Sequence, residues 1–330
     1  MRHAARVVAG IDEAGLGPML GPLALGWSAF SVPDSGCLWD HLAPLLSQKP
    51  IEDAHHLIVA DSKVVYTRNP RGERRLERTV LAFLELLGDR PRSGRELVLR
   101  TPAAMRPDQL VFERHPWYSR MATSLPRTMV TAEVERWAAS LATTCEHAGV
   151  QFLSGGVALH PAGALNASYR RTDNKAQTLW EKTSAILKHL WTEFADKGLS
   201  LTIDRQGGRL HYSELLTATF PKARLEPIRE GRGGSEYLLS GNDEHGTPRN
   251  MRILFVEKAD RTSFTVALAS CFAKYGREIC MNAFNCYFEA LQPGLKPTAG
   301  YVTDGRRWIE DASETLRRES IDRDVLIRER

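Results

Sequence analysis

Residues 10–22 read GIDEAGLGPMLGP, and this stretch decides how the rest of the chain is interpreted. An apolar run with β-branched residues, Arg6 to Ile11, leads into it, and a second apolar run, Leu23 to Phe30, follows it. The glycines and prolines between the two runs indicate a turn, so the pattern predicts a strand, a turn and a second strand. Two adjacent acids, Asp12 and Glu13, stand where the first apolar run ends.

The bulk composition limits the class of protein without naming a function. The 330 residues, of which 42% are hydrophobic, can form one large domain or two ordinary ones with a real core. A net charge of +4 permits a polyanionic substrate but does not require one. The five cysteines include no C-x-x-C pair, which argues against a disulfide framework and a structural zinc site. Without an apparent signal peptide or membrane span, we expect a soluble, cytoplasmic monomer.

Helical periodicity appears in three segments. Apolar residues recur at helical spacing over 76–87 and 134–145, and each run stops at a glycine. A third helix is predicted to begin after an Asp173 cap and to end at Gly198. The proline-rich residues 89–130 show little periodicity, so this stretch is predicted to be an irregular excursion from the core.

Further strand patterns alternate with these helices. Strands are predicted at Val150–Leu159, Leu199–Asp204 and Ile253–Glu257, and a long helix from about Ser263 to Phe284, with a second irregular stretch over 205–250. Strands that alternate with helices are typical of an α/β sheet covered by helices on both faces.

Four acids, Asp12, Glu13, Asp204 and Asp260, lie at or just after predicted strand ends, where functional groups of open α/β sheets collect. Neighbours in a strand point to opposite faces, so Asp12 and Glu13 can share a site only if the strand ends at Asp12. Four oxygen ligands would suit Mg²⁺ or Mn²⁺, and two such ions can promote phosphodiester hydrolysis. Spacing alone favours ordinary turn and cap residues over such a site.

Five local motifs nevertheless resemble those of one enzyme family. GIDEAGLGPMLGP resembles the first motif of the type 2 ribonucleases H, D-E-A-G-R-G-P followed by G-P. The segments DSK at 61–63 and TID at 202–204 resemble two further family motifs. KADRTSFTVALASCFAKYGRE at 258–278 resembles the family's K-x-D with its alanine- and serine-rich helix. GYVTDGRRWIED at 300–311 is similar to its G-Y-x-T stretch, and the order of the five is the same.

The resemblance, to a divergent ribonuclease HII-like protein, implies a fold, a reaction and a set of residues. The fold would be ribonuclease H-like, a central mixed β-sheet with helices on both faces and a helical C-terminal part. The reaction would be endonucleolytic hydrolysis of RNA in an RNA–DNA hybrid, or at ribonucleotides within duplex DNA, leaving a 5′-phosphate and a 3′-hydroxyl. Asp12, Glu13, Asp204 and Asp260 would be catalytic and would bind two Mg²⁺ or Mn²⁺ ions. The substrate would meet the backbone of Gly15, Leu16 and Gly17 at its ribose 2′-hydroxyl, Ser62 and Lys63 at phosphates, and Tyr301 at the sugar.

Several features depart from the family pattern. Leu16 replaces the arginine of the family motif, which removes a positive side chain near a phosphate. Arg205 and Gln206 separate the third carboxylate from the next glycine. Residues 1–311 are predicted to form the catalytic domain, with insertions at about 64–130 and 205–250, and residues 312–330 a C-terminal helical tail.

The insertions leave some alternatives open. In the first, Trp117, Tyr118, Arg120 and Arg127 could contact nucleic acid, but an apolar cluster that anchors a long loop is the favoured interpretation. In the second, the glycine-rich residues 229–235 favour a turn or hairpin over a phosphate loop. Two other functions also stay open: a nuclease of this fold that acts on other structured nucleic acid, and a non-catalytic hybrid-binding protein.

Overall fold

The computed structural model describes residues 6–33, 36–88, 90–106 and 113–329, with a seven-stranded main sheet of order β5-β2-β1-β6-β9-β8-β7. Strand β1 is parallel to β6, and β6 is parallel to β9, whereas the other neighbouring strands are antiparallel. Strands β3 and β4 form a separate parallel pair. The strands are β1 Arg6–Ala14, β2 Leu23–Val32, β3 Leu46–Ser47, β4 Leu57–Ile58, β5 Gln151–His160, β6 Leu199–Asp204, β7 Arg224–Arg229, β8 Ser235–Asn242 and β9 Pro248–Val256.

The α-helices are α1 Leu38–His41, α2 Ser62–Val65, α3 Pro70–Glu85, α4 Gly94–Leu99, α5 Thr131–Ala148, α6 Ala162–Thr172, α7 Lys175–Phe194, α8 Ser213–Thr219, α9 Phe264–Leu291, α10 Val302–Asp311, α11 Ser313–Arg318 and α12 Arg323–Leu326. Short 3-10 helices lie at Pro50–Glu52, Ala103–Met105, Pro116–Ala122, Ala195–Lys197 and Ala259–Arg261. Among the described residues, no helix is long and apolar enough to cross a membrane.

Both faces of the main sheet are covered. On one face, apolar side chains of β1 pack with those of α6 and α7. On the other face α9 lies directly on β1 and β2, because Gly10 and Gly26 leave no side chain between them. A Cβ atom at Gly26 would lie 1.9 Å from the carbonyl oxygen of Ala269, so no larger residue fits there. This close approach brings the first half of α9 to the acidic end of β1.

The mixed central sheet with helices on both faces, which the motifs predict, is confirmed. The helical C-terminal part is also present, as α10 to α12. One detail is wrong: β1 does not end at Asp12 but continues to Ala14. It continues because β2 pairs with it along its whole length, up to Ala14 opposite Ala24.

The segment between β5 and β6 holds one more helix than predicted. Asp173 does not cap the long helix α7 but ends the unpredicted helix α6, in a left-handed conformation with φ of 48°. The cap is Asn174, whose side chain accepts hydrogen bonds from the amides of Ala176 and Gln177. Both residues are good caps, so the sequence alone does not distinguish them.

The stretch 205–250 is not irregular. It contains α8 and the hairpin β7–β8, which extends the sheet beyond β9. The glycine-rich residues 229–235 join the two strands of this hairpin, as predicted. In the described part of 89–130, Trp117 and Tyr118 are buried and Trp117 packs on Phe284 and Phe288, which confirms an apolar anchor. Pro107 and the side chain of Arg120 lie outside the described residues.

Candidate active site

The acidic residues at the ends of β1, β6 and β9 collect at one edge of the sheet. Ile11 pairs with Ile203 in the parallel ladder, so Asp12 and Asp204 follow at the same level on neighbouring strands. Asp204 itself pairs with Val256 near the end of β9, and Asp260 lies in the 3-10 helix Ala259–Arg261 just beyond. Strand topology therefore brings chain segments more than 190 residues apart in sequence to one edge.

Backbone amides orient two of the carboxylates. The Oδ1 atom of Asp12 accepts a 2.8 Å hydrogen bond from the amide of Glu13. The Oδ1 atom of Asp204 accepts a 2.8 Å hydrogen bond from the amide of Ala259, which couples the end of β6 to the segment that carries Asp260. These bonds leave further oxygen lone pairs on both carboxylates for other partners.

Burial and mutual repulsion disfavour the charged forms of these acids. Burial, followed by the charges of Glu13 and Asp204, raises the pKa of Asp12 well above its usual range. Burial and the charge of Asp204 raise the pKa of Glu13 to about 7. The pKa of Asp204 is also raised by burial, although hydrogen bonds from backbone amides, first that of Ala259, oppose the shift. The edge thus holds more negative charge than its surroundings compensate.

The fourth acid belongs to the same electrostatic group. Burial, then the charges of Asp61 and Asp204, raise the pKa of Asp260 to about 6. The exposed Lys63 opposes this, and its ammonium lowers the pKa of Glu13 and Asp204 as well. Asp61 is a member of this group that the sequence interpretation did not single out, although it stands in the quoted DSK motif.

A pair of serines connects α2 to α9 behind the carboxylates. Ser62 is buried, and its Oγ lies 2.9 Å from Oγ of Ser270, within hydrogen-bonding distance. Ser270 also lowers the pKa of Asp12 through a side-chain hydrogen bond. Ser62 is therefore held in the protein interior, while the adjacent Lys63 is exposed at the edge. Ser270 was not predicted, because one serine in an alanine-rich helix gives no distinguishing pattern.

The loop after β1 presents backbone rather than side chains. Gly15 has a φ of 83°, which favours glycine, and Gly17 is exposed with open space beside it. The side chain of Leu16 is partly buried and packs against the apolar cluster that also contains Leu165 and Tyr169. This packing accounts for an apolar residue at the position where the family motif has arginine.

Tyr301 lies next to this loop. It is 52% exposed and precedes the first turn of α10. The carbonyl of the preceding Gly300 accepts hydrogen bonds from the amides of Met19 (2.8 Å) and Leu20 (3.1 Å). The Tyr301 segment is thereby fixed to the loop 15–22, and its ring remains accessible.

The donor chemistry of the four acids fits a hard divalent cation, because each offers carboxylate oxygens and their charges are poorly compensated. Within the described part of the chain, however, no three His, Cys, Asp or Glu side chains are arranged to hold a metal ion. A single shared site for all four acids stays a prediction.

Comparison with known proteins gives similarity at the level of structure only. No protein-family model and no curated protein sequence matches the chain. Among solved structures, a chain of the PCNA:RNase HII complex from Archaeoglobus fulgidus is 14% identical, with a TM-score of 0.43, over 98% of this chain and 94% of that one. Ribonuclease H2 from Pyrococcus horikoshii OT3 is 14% identical, with a TM-score of 0.45, over 97% and 92%. Bst-RNase HIII in complex with Mn²⁺ is 13% identical, with a TM-score of 0.42, over 98% and 66%.

The chain has the mixed central sheet with helices on both faces that the motifs predict. The three similar structures bear the names of type 2 ribonucleases H, the family that the motifs resemble. At these identities and TM-scores the likeness assigns no activity, substrate or residue role to this chain.

Proposed function

We propose that this chain is a metal-dependent endonuclease that hydrolyses the RNA strand of RNA–DNA hybrids, or ribonucleotides embedded in duplex DNA, leaving a 5′-phosphate and a 3′-hydroxyl. The observation that carries the proposal is strand pairing: Asp12 and Asp204 stand at the same level on neighbouring parallel strands, with Glu13 next to Asp12 and Asp260 just beyond the end of β9. Acids that serve only as turn or cap residues have no reason to cluster at a place where burial and mutual repulsion disfavour their charged forms.

In this proposal, Asp12, Glu13, Asp204 and Asp260 would hold two Mg²⁺ or Mn²⁺ ions. Bound there, the ions supply an activated water and stabilise the leaving oxygen of the phosphodiester. Lys63, exposed beside three of the acids, attracts a substrate phosphate to the same edge. Ser62 is buried, so we assign it to positioning Lys63 and the start of α2 rather than to direct phosphate contact.

Recognition of RNA in this proposal depends on the loop after β1 and on Tyr301. The amides of residues 15–17 can donate hydrogen bonds to a ribose 2′-hydroxyl, the group that separates RNA from DNA. The half-exposed ring of Tyr301, fixed beside the loop, can pack on the adjoining sugar.

The decisive experiment compares three duplexes, one with a single ribonucleotide, one full RNA–DNA hybrid and one of DNA alone, in Mg²⁺ or Mn²⁺. We expect cleavage of the first or second only, with ends that a ligase can rejoin, and no cleavage in EDTA. Equal cutting of plain DNA would instead support a nuclease for other structured nucleic acid, a possibility favoured by the inward packing of Leu16. Tight hybrid binding without cleavage in either metal would support a non-catalytic binding protein.

A further inference from the structure

A buried arginine near the C-terminal end holds the loop after β1. Only 4% of Arg328 is exposed. Its Nε and Nη2 atoms donate hydrogen bonds of 2.9 and 2.6 Å to the carbonyl of Gly21, and Nη1 donates to the carbonyl of Gly15. One guanidinium group thus fixes both ends of the loop 15–21.

The backbone around Arg328 adds to this contact. Its amide donates a 2.9 Å hydrogen bond to the carbonyl of Met19, and Ile327 forms an antiparallel bridge with Leu20. Residues 327–328 therefore pair with the loop in the manner of a short antiparallel strand. This pairing aligns the guanidinium group of Arg328 with the carbonyl of Gly15.

The tail that carries Arg328 is itself anchored on α6. The Nδ2 atom of Asn166, a fully buried residue, donates 2.8 Å hydrogen bonds to the carbonyls of Asp324 and Ile327. The Oδ1 atom of Asn166 accepts a 2.9 Å hydrogen bond from the amide of Glu329. At the surface, Arg170 pairs with Asp324 and Glu329. The position of Arg328 is thus determined from both sides.

A second buried arginine supports the far end of the same loop. Arg277 of α9 donates to the carbonyls of Pro22 and Leu20, at 2.5 and 3.3 Å. It also donates a 2.9 Å hydrogen bond to the carbonyl of Ala299, just before the Tyr301 segment. In the part of the chain that the structure describes, neither Arg277 nor Arg328 forms a salt bridge with a carboxylate. The loop carbonyls are their hydrogen-bond acceptors, so backbone geometry is what the two cations stabilise.

The direction of one peptide unit follows from these contacts. The carbonyl of Gly15 and the amide of Leu16 belong to the same planar trans peptide and point in opposite directions. Because Arg328 holds the carbonyl inward, the Leu16 amide points away from the protein interior. That amide donates to no acceptor among the described residues, and Gly17 beside it is exposed to open space.

We propose that Arg328 is the positioning residue for ribose recognition: it fixes the Gly15–Leu16 peptide so that the Leu16 amide can donate a hydrogen bond to the substrate's 2′-hydroxyl. This inference rests on the proposed function and adds a residue to it. Arg328 contacts no substrate itself, and its effect reaches the substrate through the peptide that it holds.

Measurements of binding, rather than of turnover, separate the role of Arg328 in recognition from any effect on cleavage. Wild type and the variants Arg328→Lys and Arg328→Met are combined with Asp204→Asn to prevent cutting. Each protein is titrated with a duplex that contains one ribonucleotide and with the same duplex in DNA alone. A lysine keeps the charge but not the forked donors, whereas methionine fills the space without either. We expect both variants to reduce the preference for the ribonucleotide duplex about fivefold to tenfold, the loss of roughly one hydrogen bond, with affinity for the DNA duplex unchanged.

Arg171→Gln is the matched control, because it removes an exposed ion pair with Glu181 that involves neither the tail nor the loop. It should keep the wild-type preference and show at most a small fall in melting temperature. Folded Arg328 variants with undiminished preference would overturn the inference, as would an equal loss of affinity for both duplexes. If Arg328→Met fails to fold, Arg328→Lys decides. Wild-type protein that neither cleaves nor prefers the ribonucleotide duplex would refute the proposed function itself, a separate result.

Discussion

Asp204 accepts a 2.8 Å hydrogen bond through Oδ1 from the amide of Ala259, the residue directly before Asp260. The third and fourth acids of the candidate site are therefore joined through one backbone contact. An asparagine at position 204 can still accept this bond through its own Oδ1, whereas an alanine cannot. The two substitutions separate the charge of residue 204 from its structural contact.

Asp204→Asn should abolish cleavage and leave the melting temperature within a few degrees of wild type, because it removes a metal-binding charge and keeps the contact to Ala259. Asp204→Ala should abolish cleavage and also destabilise the protein by about 1 kcal/mol, the contribution of one hydrogen bond. Cleavage assays at low Mg²⁺ and thermal unfolding measure the two effects. Undiminished cleavage by Asp204→Asn would remove Asp204 from the site.

Lys63→Gln should weaken binding of a ribonucleotide-containing duplex and reduce its salt dependence by about one unit of slope, as expected for one lost phosphate contact. The exposed Lys49, which pairs with Glu52 at the surface, provides the matched control as Lys49→Gln. Titrations at several salt concentrations measure both quantities. Equal slopes for the two variants would mean that Lys63 only balances the charges of nearby acids.

Leu16→Arg should restore the phosphate contact that the family motif provides. The aliphatic part of an arginine can keep some of the packing of Leu16 while its guanidinium reaches solvent, so the cost in stability should stay near 1 kcal/mol. Binding should tighten by on the order of 1 to 3 kcal/mol, and the salt dependence should steepen by about one unit. Leu16→Met, which changes shape but not charge, is the control. Identical binding by both variants would show that position 16 does not face the substrate.

Tyr301→Ala should weaken binding of the ribonucleotide-containing duplex by on the order of 1 to 3 kcal/mol, the usual range for loss of an aromatic stacking surface. Tyr301→Phe should retain most of the affinity, because it keeps the ring. Since half of the side chain is exposed, neither change should alter the melting temperature greatly. Equal affinities of all three proteins would place Tyr301 outside the substrate contact.

His160, at the end of β5, should make the protein sensitive to acid. Burial, followed by the charge of Lys182, lowers the pKa of His160 to about 3, and its Nε2 atom has no hydrogen-bond partner among the described residues. The unfolded chain binds a proton on this residue below about pH 6.5, whereas the folded chain does not until about pH 3. The free energy of unfolding is therefore not reduced by His160 above about pH 6.5, and it falls progressively as the pH is lowered towards 3.

The test is unfolding by acid, followed by circular dichroism between pH 7 and 3. His160→Gln should shift the midpoint to lower pH, because glutamine takes up no proton. His245→Gln, at a strongly exposed position, should unfold as wild type does. A midpoint unaffected by His160→Gln would assign the acid sensitivity to other groups.

The sequence predicted those parts of the fold that leave a periodic pattern or a local motif. The strand Leu199–Asp204 has the predicted bounds because alternate residues face the core and the solvent. Strand β7 was missed because it is an edge strand, almost wholly exposed, and has no buried face to produce such alternation. The acids of the candidate site were named because each stands within a short motif.

Contacts between distant segments could not be predicted in this way. Ser270 and Arg328 gain their roles from packing of α9 and the tail against the first loop, which no local spacing encodes. The same holds for Leu16, whose packing against a buried apolar cluster brings together residues from several distant segments. The motifs therefore predict which residues carry chemistry, but not which residues hold them in place.

The bond between Arg328 and Gly15 spans 313 positions of the chain, and this separation determines when the loop is completed. Contacts between such distant residues carry a large closure entropy and form after the local structure between them. During biosynthesis the loop after β1 emerges early but receives Arg328 only when nearly all of the described chain has been made. A partly synthesised chain would then hold a folded sheet with an unfinished loop 15–21, so the proposed selectivity for RNA would be acquired last. In refolding, the helical signal should accordingly return before the preference for a ribonucleotide does.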